Sequence, residues 1–455
     1  MPRQNGPRDA GGTIAFPPSC ADRGESIFAA GYQDKPYWWE AAPRPDLPPV
    51  APPARADVAI VGSGYTGLTA AIELARGGRQ VAVLDSQDAG WGCSTRNGGQ
   101  VSTSLKPGFE ELEALHGRDT AFRIRREGIN ALEWIGDFIQ REQIDCDWER
   151  VGRFHAAHNA AAFETLAKSA TNQPKGLEVE VFVVPREDQR REIGSDRYFG
   201  GVVYPAHASL HPAKYHQGLL TRAQAAGAQV ISHCPVLSIQ RDSEGFRLTS
   251  PRGTLQARDV LVATNGYTGT LTPWLRRRVI PIGSYIIATE MLDPALAKRL
   301  SPNNRVLSDT RKLVFYYRLS EDRRRMVFGG RVAFKETDPR QSAPKLHAHM
   351  TRIFPELAPV KITHSWMGFV AYTFDTLPHL GRQDDGIYYC MGYCGSGVSL
   401  ASYFGTRVAQ QILGRPEGRT ALDGIQFQTR PLYNGDPWFL ASAVAYYKLR
   451  DKLNL

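Results

Sequence analysis

Asp57-Val58-Ala59-Ile60-Val61-Gly62-Ser63-Gly64-Tyr65-Thr66-Gly67 is the stretch on which the reading of this 455-residue chain turns. After Asp57 the run is apolar and partly β-branched, the texture of a short strand buried in a parallel sheet. Leu68, Ala71, Ile72 and Ala75 then share one helical face up to Arg76, and Gly77-Gly78 ends that helix. Val81-Ala82-Val83-Leu84 reads as a second strand, closed by Asp85. The whole is a βαβ unit of about 30 residues. Gly62 permits the tight turn, Gly64 lets amides approach a pyrophosphate, and Gly67 lets helix and strand pack closely. The helix start supplies free N–H groups and partial positive charge. Asp85 suits a ribose 2′-OH and repels a 2′-phosphate. The spacing therefore predicts a site for FAD or NAD, not NADP, with Tyr65, Thr66 and Ser86 beside it.

Composition frames this unit. The chain has 55 Lys and Arg against 46 Asp and Glu, a net charge of +9, and a mean hydropathy of −0.35. An apolar content of 42% supports a sizeable core, and the length suggests two or three domains. The basic clusters Arg276-Arg277-Arg278, Arg323-Arg324-Arg325 and Arg190-Arg191 are short. They read as solvated surface, with no nucleic-acid partner. Six cysteines, at 20, 93, 146, 234, 390 and 394, show no zinc spacing and read as reduced thiols of a cytoplasmic protein. No apolar run reaches the roughly 20 residues of a membrane span. Residues 1–12 lack the apolar core of a secretory signal.

Upstream, residues 1–55 form a leader rich in proline and glycine, with Pro17-Pro18, Pro48-Pro49 and Pro52-Pro53. Proline removes donors and fixes φ, which excludes a regular helix or a central strand. Tyr37-Trp38-Trp39 are costly to leave in water, so the leader is expected to lie across the folded body. Downstream, residues 109–143 have helical periodicity and Pro212 to Ala225 reads as a helix. Strand-like runs follow at 230–264 and 282–332, and a buried strand at Gly386–Gly392 leads into a helix from about Val398 to Leu413.

The rest of the chain separates FAD from NAD. Trp91-Gly92-Cys93-Ser94-Thr95-Arg96-Asn97-Gly98-Gly99-Gln100 is a loop of small residues that lets backbone lie against a flat ring. Gly395-Ser396-Gly397-Val398 opens a late helix, a second dipolar site aimed at the same cofactor. A short nicotinamide dehydrogenase needs no such second loop.

With these motifs in view, the chain resembles the FAD-dependent amine oxidoreductases of the D-amino-acid-oxidase superfamily, and within it the γ-glutamylputrescine oxidase branch. Further residues carrying the likeness are Ala263-Thr264-Asn265-Gly266-Tyr267, Tyr316-Tyr317-Arg318, Phe328-Gly329-Gly330-Arg331, Trp366-Met367-Gly368 and Gly392 to Val398. The resemblance implies an α/β fold: a Rossmann-like FAD-binding domain of glutathione-reductase type with a second, mixed-sheet substrate domain. The expected partition is a discontinuous FAD domain at 56–108, 200–272 and 365–425, and a substrate domain at 109–199 and 273–364. A helical C-terminal extension occupies 426–455. The flavin ring is expected against Asn97, Gly98 and Gly99, with Gly395 and Gly397 facing its carbonyl edge and Val236 contacting adenine. Gly92, Cys93, Ser94, Arg96, Gln100, Thr264, Asn265, Gly266, Trp274, Gly392, Ser396, Val398 and Ser399 complete the expected cofactor shell. Gly368 stands where sarcosine oxidases carry a flavin-linking cysteine, so FAD is expected to be non-covalent.

The implied reaction is hydride removal from a carbon beside a neutral amine, followed by imine hydrolysis. No general base is assigned. Ser399 stands where sarcosine oxidases use a carboxylate-holding lysine, which points away from small α-amino acids. Their oxygen-activating lysine falls near Val327, leaving oxygen or another acceptor open. The substrate-wall candidates are Tyr285, Tyr316, Tyr317, Arg318, Arg331, Trp366 and Tyr372, an aromatic box with cations. The alternative for each is sheet-face packing. Cys390 and Cys394 read as buried fillers, and His207 and His211 as turn histidines. The chain is expected as a monomer or homodimer acting on a small-molecule amine of γ-glutamylputrescine type. N-demethylation of a secondary amine, and a flavin-binding module without turnover, are the other readings.

Overall fold

The computed structural model describes residues 26–331 and 336–453. Pro17-Pro18 and Cys20 lie outside the described residues. Two sheets dominate. One contains, in order, Ser238–Asp242, Gly245–Ser250, Gly253–Val262, Arg55–Val61, Val81–Leu84 and Gln229–Ile231, with His379–Arg382 and Tyr388–Met391 joined through Gly253–Val262. Val58 to Val61 run parallel to Val81 to Leu84 on one side and to Asp259 to Val262 on the other. Val58, Ala59 and Ile60 are fully buried, as expected of a central parallel strand covered on both faces.

The helix Tyr65–Arg76 follows the first strand and packs beneath the late helix Gly397–Ile412. Gly67 is required there: a Cβ on it would lie 2.0 Å from the Gly62 carbonyl oxygen. Gly62 itself sits at φ +105°, open to glycine and strained for other residues.

The second sheet has nine strands: Phe28–Gln33, Ile362–Tyr372, Ile280–Thr289, Met326–Gly330, Phe315–Leu319, Val306–Asp309, Arg153–Ala156, Gly201–Tyr204 and Phe182–Val184. The helix Pro339–Ile353 covers one face and shares a core with Phe154, Tyr285, Tyr317 and Phe328. The other face looks toward the glycine-rich loop.

Three placements differ from the expected partition. The helices Phe109–His116 and Arg118–Arg141 pack into the core of the dinucleotide half, with Leu112, Ile124 and Leu132 beside Leu68 and Ile72. The buried Glu127 fixes this arrangement, accepting from Tyr403 Oη at 2.7 Å and from the Ala421 N–H at 2.8 Å. Residues 201–204 and 365–372 belong to the nine-stranded sheet. The leader supplies an edge strand, Phe28–Gln33, and a short helix, Trp38–Ala41. Periodicity revealed the helices within 109–143 but not the surface they would cover, and the leader's short helix falls between its prolines, where none was expected. Among the described residues, no helix is long and apolar enough to cross a membrane.

Candidate active site

A cavity of about 410 Å³ opens at the carboxyl end of the parallel strands, the expected ligand position for such a sheet. Its wall includes Gly62, Gly64, Tyr65, Thr66, Asp85, Ser86, Gly92, Cys93, Ser94, Asn97, Val236, Thr264, Asn265, Gly395, Gly397 and Val398. Those residues come from six separated segments that the sequence had marked. Gln87, Trp91, Pro235, Tyr267, Gly269 to Thr272, Val370, Ala371, Tyr393 and Cys394 also line it and were not singled out as site residues. Tyr393 bonds Thr66 Oγ1 through its hydroxyl at 2.6 Å, joining the two glycine motifs. No spacing in the sequence announces that pair, which lies 327 residues apart.

Asp85 organises the glycine turn. Its Oδ2 accepts from the Ser63 N–H at 2.8 Å and from Ser63 Oγ at 2.6 Å, and Oδ1 accepts from the Gln87 N–H at 3.0 Å. A carboxylate offers about four acceptor positions, so capacity remains on the cavity side. Neither Gly64 nor Ser396 caps its helix, Tyr65–Arg76 or Gly397–Ile412, through a side chain, and Ser94 Oγ accepts from the Tyr65 N–H at 3.0 Å. Two helix starts and an acceptor for hydroxyls fit a flavin dinucleotide: N–H groups for diphosphate and ring carbonyl, carboxylate for ribose.

The loop carrying the flavin-side residues is held from behind by three tryptophans. Trp39 Nε1 donates to Thr95 Oγ1 at 2.9 Å, Trp366 Nε1 to the Arg96 carbonyl at 2.9 Å, and Trp38 Nε1 to the Asn97 carbonyl at 2.8 Å. Arg96 does not line the cavity. Its guanidinium lies between the rings of Trp39 and Trp91, 4.9 and 4.6 Å from their centroids, and donates to the Trp91 and Met367 carbonyls. Asn97 Nδ2 closes the loop on the Ser94 carbonyl at 2.9 Å.

Other expected cofactor residues also stand behind the wall, where they shape it. Gly67 and Gly266 are close-packing points, the latter against Phe369. Gly98 lies under the Tyr316 ring, and Gly99, at φ +66°, meets Leu210 and Arg318. Gln100 Nε2 donates to Tyr317 and Leu307 carbonyls in the nine-stranded sheet. Trp274 stacks beneath Arg278, and Gly392 donates its N–H to Asn265 Oδ1. Gly368 backs onto Arg96 and Cys93. Ser396 caps nothing through its side chain, and Ser399 Oγ donates to the Ser102 carbonyl.

The substrate-wall candidates divide by strand alternation. On Phe315–Leu319, Tyr316 and Arg318 face the loop while Tyr317 points into the core beneath the sheet. Tyr317 stacks on Phe328 and shares a hydrogen bond with Tyr198 Oη at 2.8 Å. Tyr285 lies in the same core and donates to Glu336 Oε2 at 2.8 Å. Arg331 is tied to Glu336 Oε1 and the Gly283 carbonyl. Tyr285 and Tyr317 are packing residues, because period-two alternation puts them on the far face, whereas Arg331 lies just past the strand Met326–Gly330 and is held by Glu336. Arg318 is buried against Trp38, 5.3 Å from its ring, and pairs with Glu321 Oε1 at 2.5 Å. Trp366 holds the loop. Tyr316 and Tyr372 remain beside the cavity, and burial pushes both phenols above their usual range.

The Cys93 thiol is raised to about 11 by burial, and Cys390 and Cys394 to about 12 and about 11 by the same cause. His211 caps the helix Pro212–Ala225, its Nδ1 accepting from the Lys214 N–H at 3.2 Å.

A family model described as FAD dependent oxidoreductase matches residues 57–411. The chain belongs to that family. This FAD-dependent oxidoreductase is 34% identical over 403 residues to the gamma-glutamylputrescine oxidoreductase of Escherichia coli (strain K12), an alignment spanning 88% of the chain and 93% of that protein. It is 25% identical over 379 residues to a glycine oxidase of Bacillus licheniformis, spanning 80% of the chain and 94% of that protein. The fold matches the glycine oxidase structure from Geobacillus kaustophilus with a TM-score of 0.69 at 19% identity, over 83% of this chain and 99% of that one. The enzyme uses FAD, and the cavity described above is the part of the fold that fits it.

Proposed function

We propose that this FAD-dependent amine oxidoreductase oxidises the terminal amine carbon of an aliphatic substrate of the γ-glutamylputrescine type. What supports the reading most is the likeness to the Escherichia coli gamma-glutamylputrescine oxidoreductase, which runs through both sheets and all the glycine motifs. It favours this reading over N-demethylation and over a flavin module without turnover.

FAD, when bound, accepts the hydride. The protein's own part is to orient the amine, to exclude water and to keep the nitrogen neutral. Tyr316 and Tyr372 form a desolvated wall, and no carboxylate is among the groups that shift Tyr372. Burial without a negative partner lowers an amine pKa, which leaves the lone pair free to drive hydride loss. Val327, where sarcosine oxidases carry a lysine, is buried with Trp38 and Trp366. The electron acceptor is therefore open between oxygen and a carrier, and the flavin spectrum decides it. Anaerobic addition of γ-glutamylputrescine should bleach the yellow bands, with ammonia and an aldehyde as products. Readmitted air then shows whether oxygen restores the colour. Bleaching only by N-methyl amino acids, with formaldehyde released, overturns the proposal.

A further inference from the structure

A group of basic side chains gathers on the cavity side of the nine-stranded sheet, with no acid among the described residues to balance it. On Arg153–Ala156, Phe154 and Ala156 enter the core beneath the sheet, so Arg153 and His155 point to the opposite face. His155 pairs in register with Ser308, and Ser308 with Tyr316. The three form one cross-strand row on the face that bears Tyr316. His155 Nδ1 lies 2.9 Å from Ser308 Oγ. Arg153 Nη1 donates to Ser104 Oγ at 3.2 Å, next to Lys106 on the segment that leaves the glycine loop. Tyr204 lies beneath the Arg153 guanidinium and stacks on His207 at 4.9 Å. His207 Nε2 reaches Thr103 Oγ1 at 3.2 Å.

Two polar atoms of this group, Arg153 Nε and His207 Nδ1, are buried without a hydrogen-bond partner. Lys106 and Arg153 make no ion pair among the described residues, and no carboxylate is among the charges acting on Lys106, Arg153 or His207. Burial is the leading cause that lowers each of them; Arg153 further depresses both histidines and Lys106. Lys106 is exposed, so it stands at the solvent side of this group. Lys106 lies within electrostatic reach of Cys394, which lines the dinucleotide cavity. Desolvated cations without counter-charge are costly and are relieved by an anionic ligand.

We propose that Lys106 and Arg153 hold a carboxylate of the substrate, at the end remote from the oxidised amine. This rests on the amine-oxidation reading above and narrows it. The substrate class is an aliphatic amine carrying a carboxylate at its other end. Free diamines, cationic at both ends, are disfavoured by the same charges.

The test uses the full-length holoenzyme and three probes: γ-glutamylputrescine, N-acetylputrescine as a neutral counterpart, and glutarate, which has carboxylates and no amine. Flavin reduction under stopped-flow separates apparent Kd from the limiting rate, and glutarate binding is read from perturbation of the flavin spectrum. Charge-assisted hydrogen bonds at this strength correspond to about 10- to 100-fold in affinity. Lys106→Met and Arg153→Met should therefore raise the apparent Kd for γ-glutamylputrescine and for glutarate by about that factor. N-acetylputrescine should be unaffected, and Lys106→Arg should recover most of the loss. Equal weakening toward both amines, or unchanged glutarate binding, overturns the proposal. If no amine reduces the wild-type flavin, the amine reading fails, and the glutarate titration still decides the anion site. Should Arg153→Met lose FAD, Lys106→Met alone carries the decision.

Discussion

The indole N–H of Trp38 donates to the carbonyl oxygen of Asn97 at 2.8 Å, across 59 residues of chain. A leader residue thus fixes the backbone at the edge of the cofactor cavity. Trp38 and Trp366 meet edge to face, 6.1 Å between ring centroids, and hold adjacent carbonyls of one loop. Replacing Trp38 by Phe keeps most of the apolar packing and strands one carbonyl, at about 1–3 kcal/mol. Trp38→Phe should lower the melting temperature and weaken FAD retention, and Trp38→Phe with Trp366→Phe should weaken it further. Thermal melts and the dissociation constant of FAD from apoprotein check this.

Neighbouring tyrosines on one strand should behave oppositely. Tyr317→Phe removes a buried hydrogen bond to Tyr198 and should cost about 1–3 kcal/mol of stability with turnover retained. Tyr316→Phe loses its bond to Ser284 Oγ on the cavity face. It should change the flavin reduction rate more than the denaturation midpoint. Urea melts and anaerobic reduction of the two variants separate the roles; equal effects would refute the assignment by face.

Gly67→Ala should give little soluble holoprotein, because the added methyl meets the Gly62 carbonyl at 2.0 Å and neither backbone has room to yield. Gly64→Ala meets only the Ser94 hydroxyl, at 3.0 Å, which can rotate. It should fold and bind FAD less tightly. Expression yield and flavin-to-protein absorbance ratio distinguish them.

Acid should destabilise the fold through its buried histidines. His211 is held at about 4 by burial, and His155 and His207 are likewise lowered, by burial and by Arg153. Their unfolded counterparts titrate near 6.5. Since the folded values are depressed, the unfolded chain takes up protons first. Stability is full above about pH 6.5 and falls as the pH drops toward 4. Urea midpoints at pH 7.5, 6 and 5 should decline in that order, and His211→Gln should flatten the slope.

FAD should leave intact when the protein is precipitated with acid. Cys93 is the cysteine of the cavity wall in the flavin-side loop, and burial that raises its thiol to about 11 leaves almost no thiolate at neutral pH. The supernatant should hold all the yellow colour, and Cys93→Ala should bind FAD as wild type does. A coloured pellet would contradict this.

The turn from Gly62 to Gly67, the acid at Asp85 and the second glycine start at Gly395 were legible in the sequence, because each depends on backbone freedom and local spacing. So was the burial of Trp38 and the partial cover of Trp39, which follow from the cost of leaving indoles in water. Local rules could not say which face of a strand would look at the cavity. Tyr316 and Tyr317 are equal candidates until register places one under the loop and the other in the core. Nor could they show that Lys106, Arg153 and His207, from three segments of different sheets and loops, converge with no carboxylate between them among the described residues. Short-range sterics determined the cofactor cradle; the pairing of distant strands, which no local pattern encodes, decided where charge and aromatic surface meet it.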